Sequence, residues 1–218
     1  MKDGIPYYKR EAEHVYNEIK EKGLTCWSEL FENCRYEDFP GRSFWRAVLA
    51  RYPDYFSGSD VFEYGCGTGP LSCFLSEYVK SVHATDVSPT AIEMAKKLCK
   101  KENVNFQTMD FAIPQKCDKS FELVADNYVA QQLADIDSRN NVFGNAFKLL
   151  SDEGIYVMTT IVSEDKDFVS KEKMREGVKS VRLHRSPKNI KKELKNHGFE
   201  IKSLIKSKNR ICVISGKK

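Results

Sequence analysis

The chain has 218 residues, 41% apolar and 11% aromatic, which suits a single α/β domain with a proper hydrophobic core. No apolar run approaches the ~20 residues of a membrane span, and the start Met1-Lys2-Asp3-Gly4 is too polar for a signal peptide. The net charge of +4 conceals an asymmetry: residues 1–165 hold 18 Lys/Arg against 26 Asp/Glu, and residues 166–218 hold 17 against 5. Seven cysteines without a CxxC pair and four scattered histidines predict reduced thiols, a cytoplasmic setting and no metal site.

Taken in order, Tyr7 to Lys22 reads as a helix with Tyr8, Ala12, Val15 and Ile19 on its apolar face, ended by Gly23. A short helix over Cys26–Phe31 follows, Pro40-Gly41 breaks the chain, and Ser43–Tyr52 forms a third helix before Pro53. Trp27, Phe31 and Trp45 read as packing residues. Val61 to Tyr64 is a strand, and its loop carries glycine at every second position, Gly65, Gly67 and Gly69. Leu71 to Tyr78 then reads as a helix. Strand, glycine turn and helix start together make a nucleotide-type site, because glycine admits close backbone approach and a helix end offers free N–H groups. A dinucleotide fingerprint requires a third glycine where this chain has Pro70.

Ser81–Asp86 is a second strand ending in an acid, and Ser88-Pro89 starts a helix running to about Lys101. Asn103–Met109 is a third strand, followed by Asp110-Phe111. Phe121–Ala125 is a fourth, followed by Asp126-Asn127-Tyr128. A helix reaches Leu150, Ser151–Gly154 is a turn, and Ile155–Val162 is a fifth strand. Residues 163–185 are charged and read as irregular. Arg182, His184 and Arg185 there are candidate substrate contacts, although surface charge is the favoured reading. Ser186-Pro187 starts a helix that ends at His197-Gly198. Phe199–Ile205 and Arg210–Ser215 are joined by too few residues for a crossover helix, so they form an antiparallel hairpin.

The spacing E-x-G-x-G-x-G (Glu63, Gly65, Gly67, Gly69), the acids Asp86 and Asp110 at strand ends and the terminal hairpin resemble the class I S-adenosylmethionine (SAM)-dependent methyltransferases, over about residues 60–216. The resemblance implies a Rossmann-like, seven-stranded, mostly parallel sheet with helices on both faces and a C-terminal antiparallel hairpin. It also implies a helical N-terminal extension (1–59) covering the cofactor, and a methyltransferase domain over 60–218. The cofactor is then SAM, and the product S-adenosylhomocysteine. Glu63 suits the cofactor's cationic amino-acid end, with Gly65, Cys66, Gly67 and Gly69 as the close-approach loop. Asp86, beside Val87, would accept the ribose hydroxyls. Asp110 would accept the adenine amine and the Phe111 N–H would donate to the ring. Asp126, through carbonyl or carboxylate, would face the methionine ammonium. Tyr128 would orient the acceptor, or act as a base if its pKa were lowered.

Many relatives carry histidines where Gln131 and Gln132 stand, which argues against a histidine base there. Asp126-Asn127-Tyr128-Val129 is not an NPPY-type tetrad, and Glu164 and Asp165 come late for a magnesium-dependent enzyme. The expected acceptor is an O, N or S nucleophile on a small molecule; thiols are included because the Asp126 loop and Arg139 loosely resemble thiopurine-type enzymes. Two alternatives stand beside it. One is a tRNA or rRNA methyltransferase using the basic C-terminal region, and the other is a non-catalytic SAM-binding regulatory partner.

Overall fold

A computed structural model describes residues 5–32, 34–116, 118–173 and 179–218. Its centre is β1 (Asp60–Tyr64), whose last four residues are all buried because the strand is covered on both faces. Parallel to it run β2 (Ser81–Asp86), β3 (Val104–Thr108), β4 (Phe121–Asn127) and β5 (Leu150–Ile161). The terminal hairpin of β8 (Phe199–Ser207) and β9 (Arg210–Lys217) adds to the far edge, β9 antiparallel to β5. The sheet order is β3-β2-β1-β4-β5-β9-β8. The order reverses between β1 and β4, so a crevice opens at the C-terminal ends of those strands.

Strand alternation divides the core. Val61, Leu123 and Val157 face α3 (Arg42–Arg51), α4 (Pro70–Leu75) and α5 (Pro89–Leu98). Phe62, Tyr64 and Val124 face α6 (Ile136–Leu149) and α7 (Pro187–Asn196). Residues 42–51, expected within the N-terminal extension, therefore pack directly on the sheet through Phe44, Trp45 and Val48. Above the crevice lie α1 (Tyr7–Glu21) and α2 (Trp27–Phe31), with Val15, Tyr16 and Ile19 of α1 packed against Ala91 and Met94 of α5.

Side-chain caps set the helix starts. Ser88 Oγ accepts from Ala91 N at 3.0 Å, Asp135 Oδ1 from Ser138 N at 2.8 Å, and Ser186 Oγ from Asn189 N at 3.3 Å. Helices α6 and α7 are clamped by Arg139, which grips Glu193 with two bonds of 2.7 and 2.6 Å while both side chains are buried. The same guanidinium bonds the carbonyls of Ala130 and Leu133, so it also holds the loop after β4. Arg139 is a structural clamp.

Three expectations need correction. Residues 163–185 are not irregular: β6 (Phe168–Lys173) and β7 (Lys179–His184) form a separate antiparallel pair, with residues 174–178 outside the described part. Phe168 and Val169 are exposed in this pair, which hides the alternation a half-buried strand shows. Strand β5 begins at Leu150, absorbing the expected turn at 151–154 through a register shift opposite Phe121 and Leu123. Helix α4 ends at Leu75, and Tyr78 points outward at 40% exposure.

Candidate active site

The loop after β1 turns through three left-handed glycines, Gly65 (φ +64°), Gly67 (φ +56°) and Gly69 (φ +86°). Their roles differ. A Cβ on Gly65 would strike Val129, and one on Gly67 would strike the Tyr16 hydroxyl, so both keep a cleft narrow. Gly69 is turned away from the cleft, where a Cβ would meet the Phe106 ring at 2.7 Å. Cys66 lines the cleft, but burial pushes its thiol well above the usual range and it stays protonated. Thr68 Oγ1 is buried there without a hydrogen-bond partner among the described residues.

Three carboxylates sit close to this loop, and burial raises each of them. Glu63 lines the cleft at 1% exposure, receives the Ser72 hydroxyl, and is pushed up to about 8; the charges of Asp86 and Asp126 add to the effect of burial. Asp86 accepts Gly67 N at 2.8 Å and Ser88 N at 2.9 Å, and burial outweighs those bonds to bring it to about 6. Val87 lines the cleft beside it. Asp126 is different. Its carboxylate faces away from the cleft and accepts Val129 N at 2.7 Å, Ala130 N at 3.2 Å and the Tyr64 hydroxyl at 2.8 Å. It is a buried brace for the loop, also raised to about 6 by burial. Asn127 lines the cleft instead, its Oδ1 accepting from Trp45 Nε1 at 3.2 Å and Thr159 Oγ1 at 2.8 Å.

At the β3 end, Asp110 lines the cleft and accepts the Tyr8 hydroxyl at 3.1 Å, Lys9 Nζ at 2.7 Å and Ala112 N at 3.0 Å. Phe111, stacked on Tyr64 at 4.7 Å, forms an apolar wall. Past β4, Tyr128 adopts φ +66°, a strained conformation for a bulky residue, and its buried hydroxyl has no hydrogen-bond partner among the described residues. Burial pushes the phenol up to about 12 although the Arg210 charge opposes it. It is therefore protonated at neutral pH, which counts against the base role.

The motifs did not single out the roof residues, apart from Arg182. Tyr8 and Tyr16 come from α1, Trp27 from α2 and Arg182 from β7, and all four line the cleft. Glu13 ties α1 down through Ser88 Oγ at 2.5 Å and Thr90 Oγ1 at 2.6 Å. Two tyrosines spaced by eight in one helix were the available signal, but their ring edges read equally as core. Among the described residues no group of three or more His, Cys, Asp or Glu could hold a metal ion.

Residues 56–213 match the family described as a methyltransferase domain. The chain belongs to that family. Its fold is that of the class I, SAM-dependent methyltransferases. The chain is 30% identical over 135 residues to the magnesium-protoporphyrin O-methyltransferase of Rhodobacter capsulatus, covering 59% of this chain and 60% of that protein. It is 24% identical over 127 residues to the ribosomal protein L11 methyltransferase of Dictyoglomus thermophilum, covering 58% of this chain and 40% of that one. The chain thus spans about 60% and 40% of the length of these two relatives. Among solved structures, a complex of DhpI with S-adenosylhomocysteine superposes with a TM-score of 0.74 over 98% of both chains at 17% identity. A SAM-dependent methyltransferase from Clostridium acetobutylicum gives 0.68 over 93% of this chain and 98% of that one, at 14% identity. At such identities these two likenesses speak for the fold alone.

Proposed function

We propose that this methyltransferase transfers a methyl group from SAM to an O, N or S nucleophile of a small molecule. The residues present fit the cofactor. A glycine loop on which Val129 and Tyr16 close because Gly65 and Gly67 lack a Cβ, a Thr68 hydroxyl without a partner among the described residues and a buried Glu63 suit a ligand with an amino-acid end. In this reading Glu63, Gly65, Cys66 and Gly67 hold the methionine portion, Asp86 and Val87 the ribose, and Asp110 and Phe111 the adenine. SAM supplies a methyl group already activated on a sulfonium. The chain's own work is to align an acceptor and exclude water. Tyr128, protonated and unpartnered, is the candidate to orient it.

The observation that carries the small-molecule reading is the roof. Tyr8 ties α1 to Asp110, Glu11 ties it to β7 through Ser180 Oγ at 2.7 Å, and Tyr7 donates to the Gln132 carbonyl at 2.9 Å. An acceptor must enter a covered cleft, which disfavours a base presented on folded RNA. The C-terminal charge does not gather at the cleft either. Lys188, Lys191, Lys192 and Lys195 are exposed on α7, Lys202, Lys206 and Lys208 lie on or just after β8, and of the described basic residues beyond 165 only Arg182 lines the cleft. The test is transfer of labelled methyl from SAM to fractionated small-molecule extracts and to bulk RNA. Label entering RNA alone would reverse the reading.

A further inference from the structure

Four arginines surround the acceptor end of the cleft and the loops behind it, and three of them have carboxylate partners. Arg139 grips Glu193, Arg185 lies 3.7 Å from Asp167 and from Glu193, and Arg210 meets Glu32 at 3.1 Å. Arg182 has none among the described residues. It is half-buried, its Nε donates to Gln132 Oε1 at 3.3 Å, and its guanidinium carbon lies 5.6 Å from the centroid of the Trp27 ring. Five carboxylates line the same cleft, and each is already engaged: Glu63 by the Ser72 hydroxyl, Asp86 by Gly67 N and Ser88 N, Asp110 by Tyr8 and Lys9. Glu11, at 3% exposure, accepts Ser180 Oγ and Val181 N, while Glu32 holds Arg210.

A guanidinium presents five N–H donors in a planar fork, and only the one on Nε is used here. Arg182 lines the cleft, and its two Nη groups, with four donors, have no acceptor among the described residues; Trp27 and Gln132 hold the side chain in place. Sheltering such a cation without a counter-charge is costly, and an oxyanion binding the fork bidentately removes that cost. We propose that Arg182 is the acceptor-recognition residue, and that the methyl acceptor carries a carboxylate or phosphate-type group. The inference rests on the small-molecule reading above. Arg182 belongs to the acceptor and not to the cofactor's own carboxylate because its anchor, Gln132, lies beyond Tyr128 in the loop after β4. The cofactor's amino-acid end is expected at Glu63 and the loop after β1.

Trp27 makes the test direct, since the chain has only two tryptophans and the other, Trp45, is fully buried. The full chain is first titrated with S-adenosylhomocysteine by calorimetry. The saturated protein is then titrated with benzoate and with inorganic phosphate at matched ionic strength, reading tryptophan fluorescence. The expected result is a saturable response to at least one anion, weakened roughly tenfold or more in Arg182→Gln, as for loss of a charge-assisted pair. Arg182→Lys should retain part of it, and both variants should bind S-adenosylhomocysteine as the wild type does. No saturable response, or an equal one in Arg182→Gln, overturns the proposal. So does a loss of S-adenosylhomocysteine affinity with the anion response intact, which would assign Arg182 to the cofactor. If the wild type fails the first titration, the cofactor reading falls, and the proposal falls with it at a separately visible step.

Discussion

Replacing Glu63 with Gln keeps the shape of the side chain and removes one titration. In the ligand-free protein burial raises this carboxyl to about 8, so at pH 7 it is protonated by roughly ten to one. A cofactor ammonium placed against it would favour the ionised form, at a cost of about 1.4 kcal/mol for the one pKa unit, offset by roughly 1.5–3 kcal/mol from a charge-assisted bond. Binding should therefore release most of one proton at pH 7. Calorimetry of S-adenosylhomocysteine binding in buffers of different ionisation enthalpy reads that number directly. Wild type should release about 0.8–0.9 proton and Glu63→Gln almost none, with weaker binding.

The same group sets a stability signature of opposite consequence. Its folded pKa is raised above the unfolded value, so its stabilising contribution is complete below about pH 4.5 and is lost as pH rises through 8. Glu63→Gln escapes that loss. Its stability relative to wild type should grow by about 1.4 kcal/mol per pH unit, or roughly 2–3 kcal/mol between pH 5 and 7 in urea denaturation. Parallel stability profiles would refute the raised carboxyl, and intact binding with no proton released by the wild type would refute the placement of Glu63 against an ammonium.

Asp86→Ala should weaken cofactor binding by roughly 1.5–3 kcal/mol. It should also lower stability, since Gly67 N and Ser88 N lose their acceptor; unchanged affinity in calorimetry would show that another group holds the ribose. Gly67→Ala should cost about 1–2 kcal/mol for its left-handed backbone, plus the displacement of Tyr16, and a thermal unfolding curve matching wild type would contradict the packing described. Tyr128→Phe removes a hydroxyl with no protein partner, so its Tm should be unchanged while kcat falls severalfold with cofactor affinity intact; wild-type turnover would take Tyr128 out of the mechanism.

What the sequence revealed was whatever acts locally. The glycine spacing, the strand-end acids and the short link before Arg210 each constrain backbone a few residues away, and they define β1, the cleft floor and the terminal hairpin. The roof depends on contacts remote in sequence, such as Tyr8 with Asp110 or Glu11 with Ser180, which helical periodicity does not encode. Asp126 could have been placed by parity. It shares a strand face with Val124, the face that meets Tyr64 and Tyr156, whereas Asn127 shares the opposite face with Trp45.

The two acids expected to meet adenosine are each partly committed to the protein. An ionised carboxylate offers about four acceptor positions. Asp86 uses part of this capacity on Gly67 N and Ser88 N, and the remainder is what ribose hydroxyls would use. Asp110 receives three donors, the Tyr8 hydroxyl, Lys9 Nζ and Ala112 N, which leaves one for an exocyclic amine. In the proposed placement of adenosine, helix α1 stays closed over the cofactor, with the roof and the ligand sharing Asp110. Closure then excludes water from the bonds the cofactor makes, and those bonds strengthen as the local dielectric falls. The same arrangement means that neither acid can be removed without disturbing both the loop or roof it braces and the ligand it is expected to hold.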